Sequence, residues 1–199
     1  LEVEVLLPQS QWAPKSVLMA SYSYYLQNYY SLAIENLKRY FKTYPRDRNM
    51  AYAHYLLARE GKGKPVAIRN ELSKKYNYES EYMLKTALYL AGDRTYEEEL
   101  RSLKNLNKID TRYDYWSFRS QMRSQGVILA LHQEMFGSSD ANGEALASGI
   151  NSYLSQQKNR YLSTQVLGWT TYALSKRVLN QGDWKAPDNW YQRSIEERN

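Results

Sequence analysis

The chain has no cysteine among its 199 residues. That excludes disulfides, thiolate metal sites and cysteine nucleophiles, and says little about the compartment. Histidine is nearly as scarce, with two residues. No run approaches the roughly 18 consecutive apolar residues of a membrane-spanning helix, so no transmembrane segment is expected. No signal peptide and no initiator Met open the chain, and Leu1 is expected to begin a mature chain, a fragment or an engineered product. The polar–apolar alternation of a half-buried strand occurs only in Leu1 to Val5. A basic tract is missing too. Net charge is +6, but Lys and Arg are interspersed with acids, and Lys62 to Lys64 or Arg46 with Arg48 are too short to track a phosphate backbone. Nucleic acid is not an expected partner; single strands stacked on exposed Tyr and Trp would show as steeply salt-dependent binding.

What is present is enough for a core. At 43% hydrophobic and 24% charged, the chain can bury one domain or two small ones. Twenty tyrosines stand out. Most fall at core spacing, where a ring can pack while its hydroxyl stays wet, and Tyr also suits recognition surfaces. Met50 to Arg59, MAYAHYLLAR, is apolar nearly all round: Met50, Ala53 and Leu57 share one side, Tyr52, Tyr55 and Leu56 the other. Such a helix must be buried between neighbours.

Residues 1–13 read as an arm or the end of a missing element. Residues 14–60 read as a helical hairpin plus the Met50 to Arg59 helix. Pro14 suits a first helical turn, and Val17, Leu18, Ala20, Tyr24 and Tyr25 follow with helical periodicity. Asn28 and Tyr29 mark a turn. Tyr30, Ala33, Ile34, Leu37, Tyr40, Phe41 and Tyr44 form a second helix that Pro45 stops. Pro14 to Asp47 is a tetratricopeptide-type unit with Tyr24, Tyr30, Ala33 and Pro45 at signature positions, and Ser21 and Asn28 in place of its glycines. Residues 10–58 further resemble the BamD family of outer-membrane assembly lipoproteins of Gram-negative bacteria, through Trp12 to Ser16, Tyr22 to Tyr25, Ala33-Ile34, and Tyr44-Pro45 before Ala51 to Ala53. The resemblance implies a string of helical repeats, anchored by a lipidated Cys that this chain lacks, on the periplasmic face of the outer membrane. It implies a scaffold for β-barrel protein assembly, with the assembly components as partners.

After Arg59 the pattern changes, and 61–180 read as a second array of α-hairpins. Pro65 opens a helix with Ile68 and Leu72 inward, and Tyr82, Met83, Ala87 and Leu90 line the next, capped by Gly92. Thr95 with Glu98 predicts a capping box before Tyr96, Leu100, Leu103 and Leu106. Asn107 to Trp116 reads as the longest loop. Phe118, Met122, Leu129 and Phe136 predict a long helix ending at Gly137. Asp140 is expected to cap another that buries Leu146, Ile150, Tyr153 and Leu154. Leu162, Val166, Trp169 and Ala173 form the last stripe, and 181–199 read as a polar tail with Trp184, Pro187 and Trp190. The expected fold is all-α, an array or partial toroid of antiparallel α-hairpins. Residues 50–180 resemble the later half of a bacterial alpha-2-macroglobulin thioester domain, through Ala91-Gly92-Asp93 and Ser163-Thr164-Gln165 before Trp169. That resemblance implies a ring of helices in a protease trap, with a protease as partner; without Cys, this chain cannot form the thioester. Two unrelated resemblances meeting at one helix also fit a recombined or engineered chain with no natural function.

No catalytic, metal or cofactor residue is expected, and no binding residue can be assigned. His54 and His132 each lie on apolar helical faces without a carboxylate at helical spacing. Glu97 to Glu99 fit a helix's first turn, where acids meet the dipole favourably. Ser163 fits an N-cap, not a nucleophile. Gly137 to Gly143 has no phosphate-loop pattern. An α/α-toroid enzyme would require Asp110, Asp114 and Glu134 to converge. The reading is a non-enzymatic protein-interaction module of the cell envelope, of macroglobulin type or, alternatively, of BamD type. Its oligomeric state is not legible.

Overall fold

A computed structural model describes residues 2–109, 120–157 and 162–180, with side chains to 177. Among these, every regular element is helical: α1 (Glu2–Leu6), α2 (Trp12–Leu26), α3 (Tyr30–Thr43), α4 (Met50–Arg59), α5 (Pro65–Leu72), α6 (Tyr78–Leu90), α7 (Glu97–Ser102), α8 (Gln121–Phe136), α9 (Ala141–Gln156) and α10 (Thr164–Asn180), with a 3-10 turn at Leu106–Lys108. The expected loop from Asn107 falls mostly outside the described residues, as do Phe118 and the 181–199 tail.

Turn chemistry explains several boundaries. Asn28 sits in the left-handed region at φ 64°, with its N–H on the Tyr25 carbonyl and the Tyr29 N–H on that of Tyr24. This is a Schellman closure, with Asn tolerating the conformation glycine would otherwise take. Gly92 closes α6 in the same way at φ 89°. At the other ends, Ser120, Asp140 and Ser163 oxygens accept first-turn N–H groups of α8, α9 and α10.

Three local expectations differ from the structure. Residues 1–13, a poor helix former by composition and read as an arm or the end of a missing element, hold α1 and the start of α2. The alternation in residues 1–5 finds no strand to pair with among the described residues, and a short helix satisfies its backbone locally. There Glu4 accepts from Arg39 at 2.6 Å and from the Tyr44 hydroxyl at 3.3 Å. The Thr95 capping box does not form. The Thr95 hydroxyl and N–H both donate to Asp93, at 2.6 and 3.1 Å, and α7 begins later, at Glu97. The Asp93 carboxylate two residues upstream holds the Thr95 N–H that Glu98 would accept in a capping box, and fixes the hydroxyl in an Asx-type turn. Tyr153, expected inside, is 36% exposed, while Leu146 and Ile150 of the same helix are buried.

Helices α4, α6, α8 and α10 pack in succession, with α5, α7 and α9 packed against them and α2–α3 leading in. Helix α4 has eight of its ten residues buried, so it lies encased between α3, α5 and α6. A single hydrophobic cluster runs from Val17 through Leu57 and Leu88 to Ala173. Helix α8 packs closely on α10 at Gly126, where a Cβ would sit 3.0 Å from the Thr170 nitrogen and from the Trp169 carbonyl carbon. The last helix faces α2 and α4 across a cleft lined by Tyr22, Tyr52, Trp169 and Tyr172. Among the described residues, no helix is long and apolar enough to cross a membrane.

Candidate functional site

The inner helices α2, α4, α6, α8 and α10 enclose a cleft of about 280 Å³. One wall comes from α4, where Tyr52, Tyr55 and Arg59 share a helical face at i, i+3 and i+7. Opposite stand Trp169 and Tyr172 of α10, edge to face at 6.1 Å. Tyr22 of α2 completes the aromatic lining.

An ion pair braces this cleft. Glu134 of α8 accepts from Arg59 Nε at 3.1 Å and from the Tyr55 hydroxyl at 2.5 Å. The Arg59 guanidinium also lies 4.9 Å from the Tyr25 ring centre. Burial opposes the Arg59 charge, but Tyr55, Glu134 and Tyr25 outweigh it and hold its pKa above the ordinary value. Burial and Glu134 push the Tyr55 pKa up, so its hydroxyl stays protonated and donating. Burial likewise raises Tyr52. Glu134 is thus committed on both oxygens and is no free base. What the cleft offers is aromatic surface and a fixed cation. That is recognition chemistry, suited to one or two side chains of a partner more than to a large substrate.

Asp110 and Asp114 lie outside the described residues, and their proposed partner Glu134 serves the cleft. His54 is buried against the Phe41 ring at 4.5 Å, and burial lowers its pKa. His132 is fully buried, but it has the carboxylate that helical spacing did not reveal: its Nε2 lies 2.9 Å from Asp140, and its Nδ1 lies 3.2 Å from the Tyr82 hydroxyl. An ionised Asp140 only accepts, so the imidazole proton sits on Nε2. The same carboxylate caps α9 and meets Arg101 at 3.2 Å. The Tyr82 hydroxyl also donates to the Leu100 carbonyl at 3.1 Å, so these groups tie α6, α7, α8 and α9 together as a structural network. Glu97 and Glu99 lie in the first turn of α7 as expected; Glu99 grips the buried Lys85 at 2.9 Å. Among the described residues, no group of three or more His, Cys, Asp or Glu could hold a metal. A larger depression of about 960 Å³ between α7 and α10, edged by Leu103, Met122 and Tyr153, has no charged side chain among its described lining.

No binding residue is assignable from the sequence, because the facing walls of the cleft, Tyr52 and Trp169, lie over 100 residues apart. The Tyr52–Tyr55–Arg59 spacing was the one available signal.

Residues 2–74 match the YfiO family, described as outer membrane lipoprotein. The outer membrane protein assembly factor BamD of Caulobacter vibrioides is 40% identical over 57 residues, covering 29% of this chain. The matched stretch spans about a fifth of that relative's length, 19%. No solved structure matches the chain. The BamD resemblance read from residues 10–58 therefore holds, within a longer matched region. Nothing in these comparisons supports the macroglobulin resemblance of residues 50–180, or a recombined chain.

Proposed function

We propose that the chain is a non-enzymatic, BamD-like scaffold that binds protein partners in outer-membrane protein assembly, at the periplasmic face of the outer membrane. The observation that carries this reading is that the family match, residues 2–74, contains the whole α2–α4 wall of the cleft, Arg59 included. The region similar to an assembly factor is thus the region that presents aromatic rings and a braced cation. Helical arrays of this kind bury one side of each helix and leave the inner surface for partners. The BamD reading takes precedence over the macroglobulin reading, whose telling residues, Ala91 to Asp93 and Ser163 to Gln165, lie beyond the matched region.

The test is capture from solubilised Caulobacter vibrioides outer membranes on the immobilised 199-residue chain, read by mass spectrometry. Outer-membrane assembly components should be enriched, and Arg59→Ala with Tyr52→Ala should reduce their recovery. No enrichment, or equal recovery by the variant, would overturn the proposal.

A further inference from the structure

Helix α2 is apolar on two sides. One side, with Ala13, Val17 and Leu18, is buried in the core. The other carries Trp12, Met19 and Leu26, which are 57%, 62% and 61% exposed. Their seven-residue spacing keeps all three on one stripe, drifting only about 20° per heptad on a straight helix. Between them lie Ser16, Ser23 and Lys15, whose ammonium folds over the Trp12 ring at 4.2 Å. This is the pattern of a helix-pairing seam, and none of the described elements covers it.

We propose that this seam is a two-fold interface between two copies of the chain, with the α2 helices antiparallel and crossing at Met19. The stripe is symmetric about Met19, so an antiparallel copy meets itself: Met19 on Met19, Trp12 on Leu26 of the partner subunit. A two-fold interface requires that self-complementarity, whereas an unrelated partner does not. Charge selects the direction. Antiparallel pairing separates the two Lys15 positions by about 12 Å along the axis, while parallel pairing would place them side by side.

The area is also sufficient. Apolar exposure continues past Trp12 through Val5, Leu6 and Leu7, and past Leu26 through Tyr29 and Tyr30, each 46–77% exposed. Antiparallel pairing lays the first group near the partner's second group. Eight side chains offering on the order of 100 Å² each set an upper limit of about 800 Å² per protomer, which reaches the size of a standard interface only when α1 and the α2–α3 turn join the contact. Patches beyond a few hundred Å² are uncommon on monomers. The seam does not depend on the cleft reading, and either can fail alone.

The absence of cysteine makes the register directly testable. Sedimentation of the 199-residue chain up to about 200 µM, far above a micromolar Kd, should show a dimer. Met19→Leu should keep it, and Met19→Lys, checked for folding by circular dichroism, should give monomers. On mild oxidation Met19→Cys should form a covalent dimer, and Trp12→Cys should couple to Leu26→Cys. Trp12→Cys alone should not couple, since its two copies lie about 21 Å apart along the axis. A monomer throughout, species larger than a dimer, a dimer indifferent to Met19→Lys, or Trp12→Cys pairing with itself would each overturn the proposal.

Discussion

Replacing Asp140 with alanine should destabilise the fold by about 2–4 kcal/mol, because one carboxylate serves three structural roles. It accepts the Asn142 and Gly143 N–H groups as the cap of α9, and losing such a cap costs about 1 kcal/mol. It receives Nε2 of His132, which is fully buried; stranding that donor costs about 1–3 kcal/mol. Its ion pair with Arg101, which is 47% exposed, adds little. Urea unfolding at pH 7 measures the total. In a His132→Phe background the donor is gone, so Asp140→Ala should then cost only about 1 kcal/mol. The pH dependence has a definite sign. Burial tends to raise the Asp140 pKa, but the His132 and backbone hydrogen bonds outweigh it and hold it below the ordinary 3.8. Its contribution is therefore present above about pH 4 and lost as pH falls through the lower folded value, where the gap between wild type and Asp140→Ala should close. A cost below about 0.5 kcal/mol, or one unchanged without His132, would refute the reasoning.

Gly126→Ala should destabilise by about 1–3 kcal/mol, because the new Cβ meets α10 backbone at 3.0 Å. Gly168→Ala, with nothing within 4 Å, should be neutral or stabilise by up to about 1 kcal/mol; urea midpoints distinguish the two. Asn28→Gly should keep or slightly raise stability at its left-handed φ of 64°, whereas Asn28→Val should lower the thermal midpoint by several degrees.

Local physics was legible in the sequence, and long-range pairing was not. Met50 to Arg59, the Pro45 and Pro65 boundaries, the Gly92 closure and the Asp140 and Ser163 caps each depend on residues within one turn, and each appears as read. Asp140 was seen as a cap but not as the partner of His132. The two are eight residues apart and meet only because the α8–α9 turn folds back. Arg59 and Glu134 lie 75 positions apart in number, and nothing in either segment announces the other. The Thr95 expectation failed through a competitor, Asp93, that the capping-box pattern ignores. The seam of α2 was concealed by its own inner face, since a helix apolar on two sides shows little amphipathic contrast.

Helix α4 joins the BamD-like region to the remaining helices through one continuous core. Leu57, 8% exposed, is the residue to perturb. Leu57→Asp buries an unpaired charge, and the decisive measurement is hydrogen exchange by mass spectrometry, peptide by peptide, on the variant and the wild-type chain. A shared core predicts that α2–α3 and α6–α8 lose protection together. Retained protection in either segment while the other exchanges freely would mean two separate units, and would contradict the account.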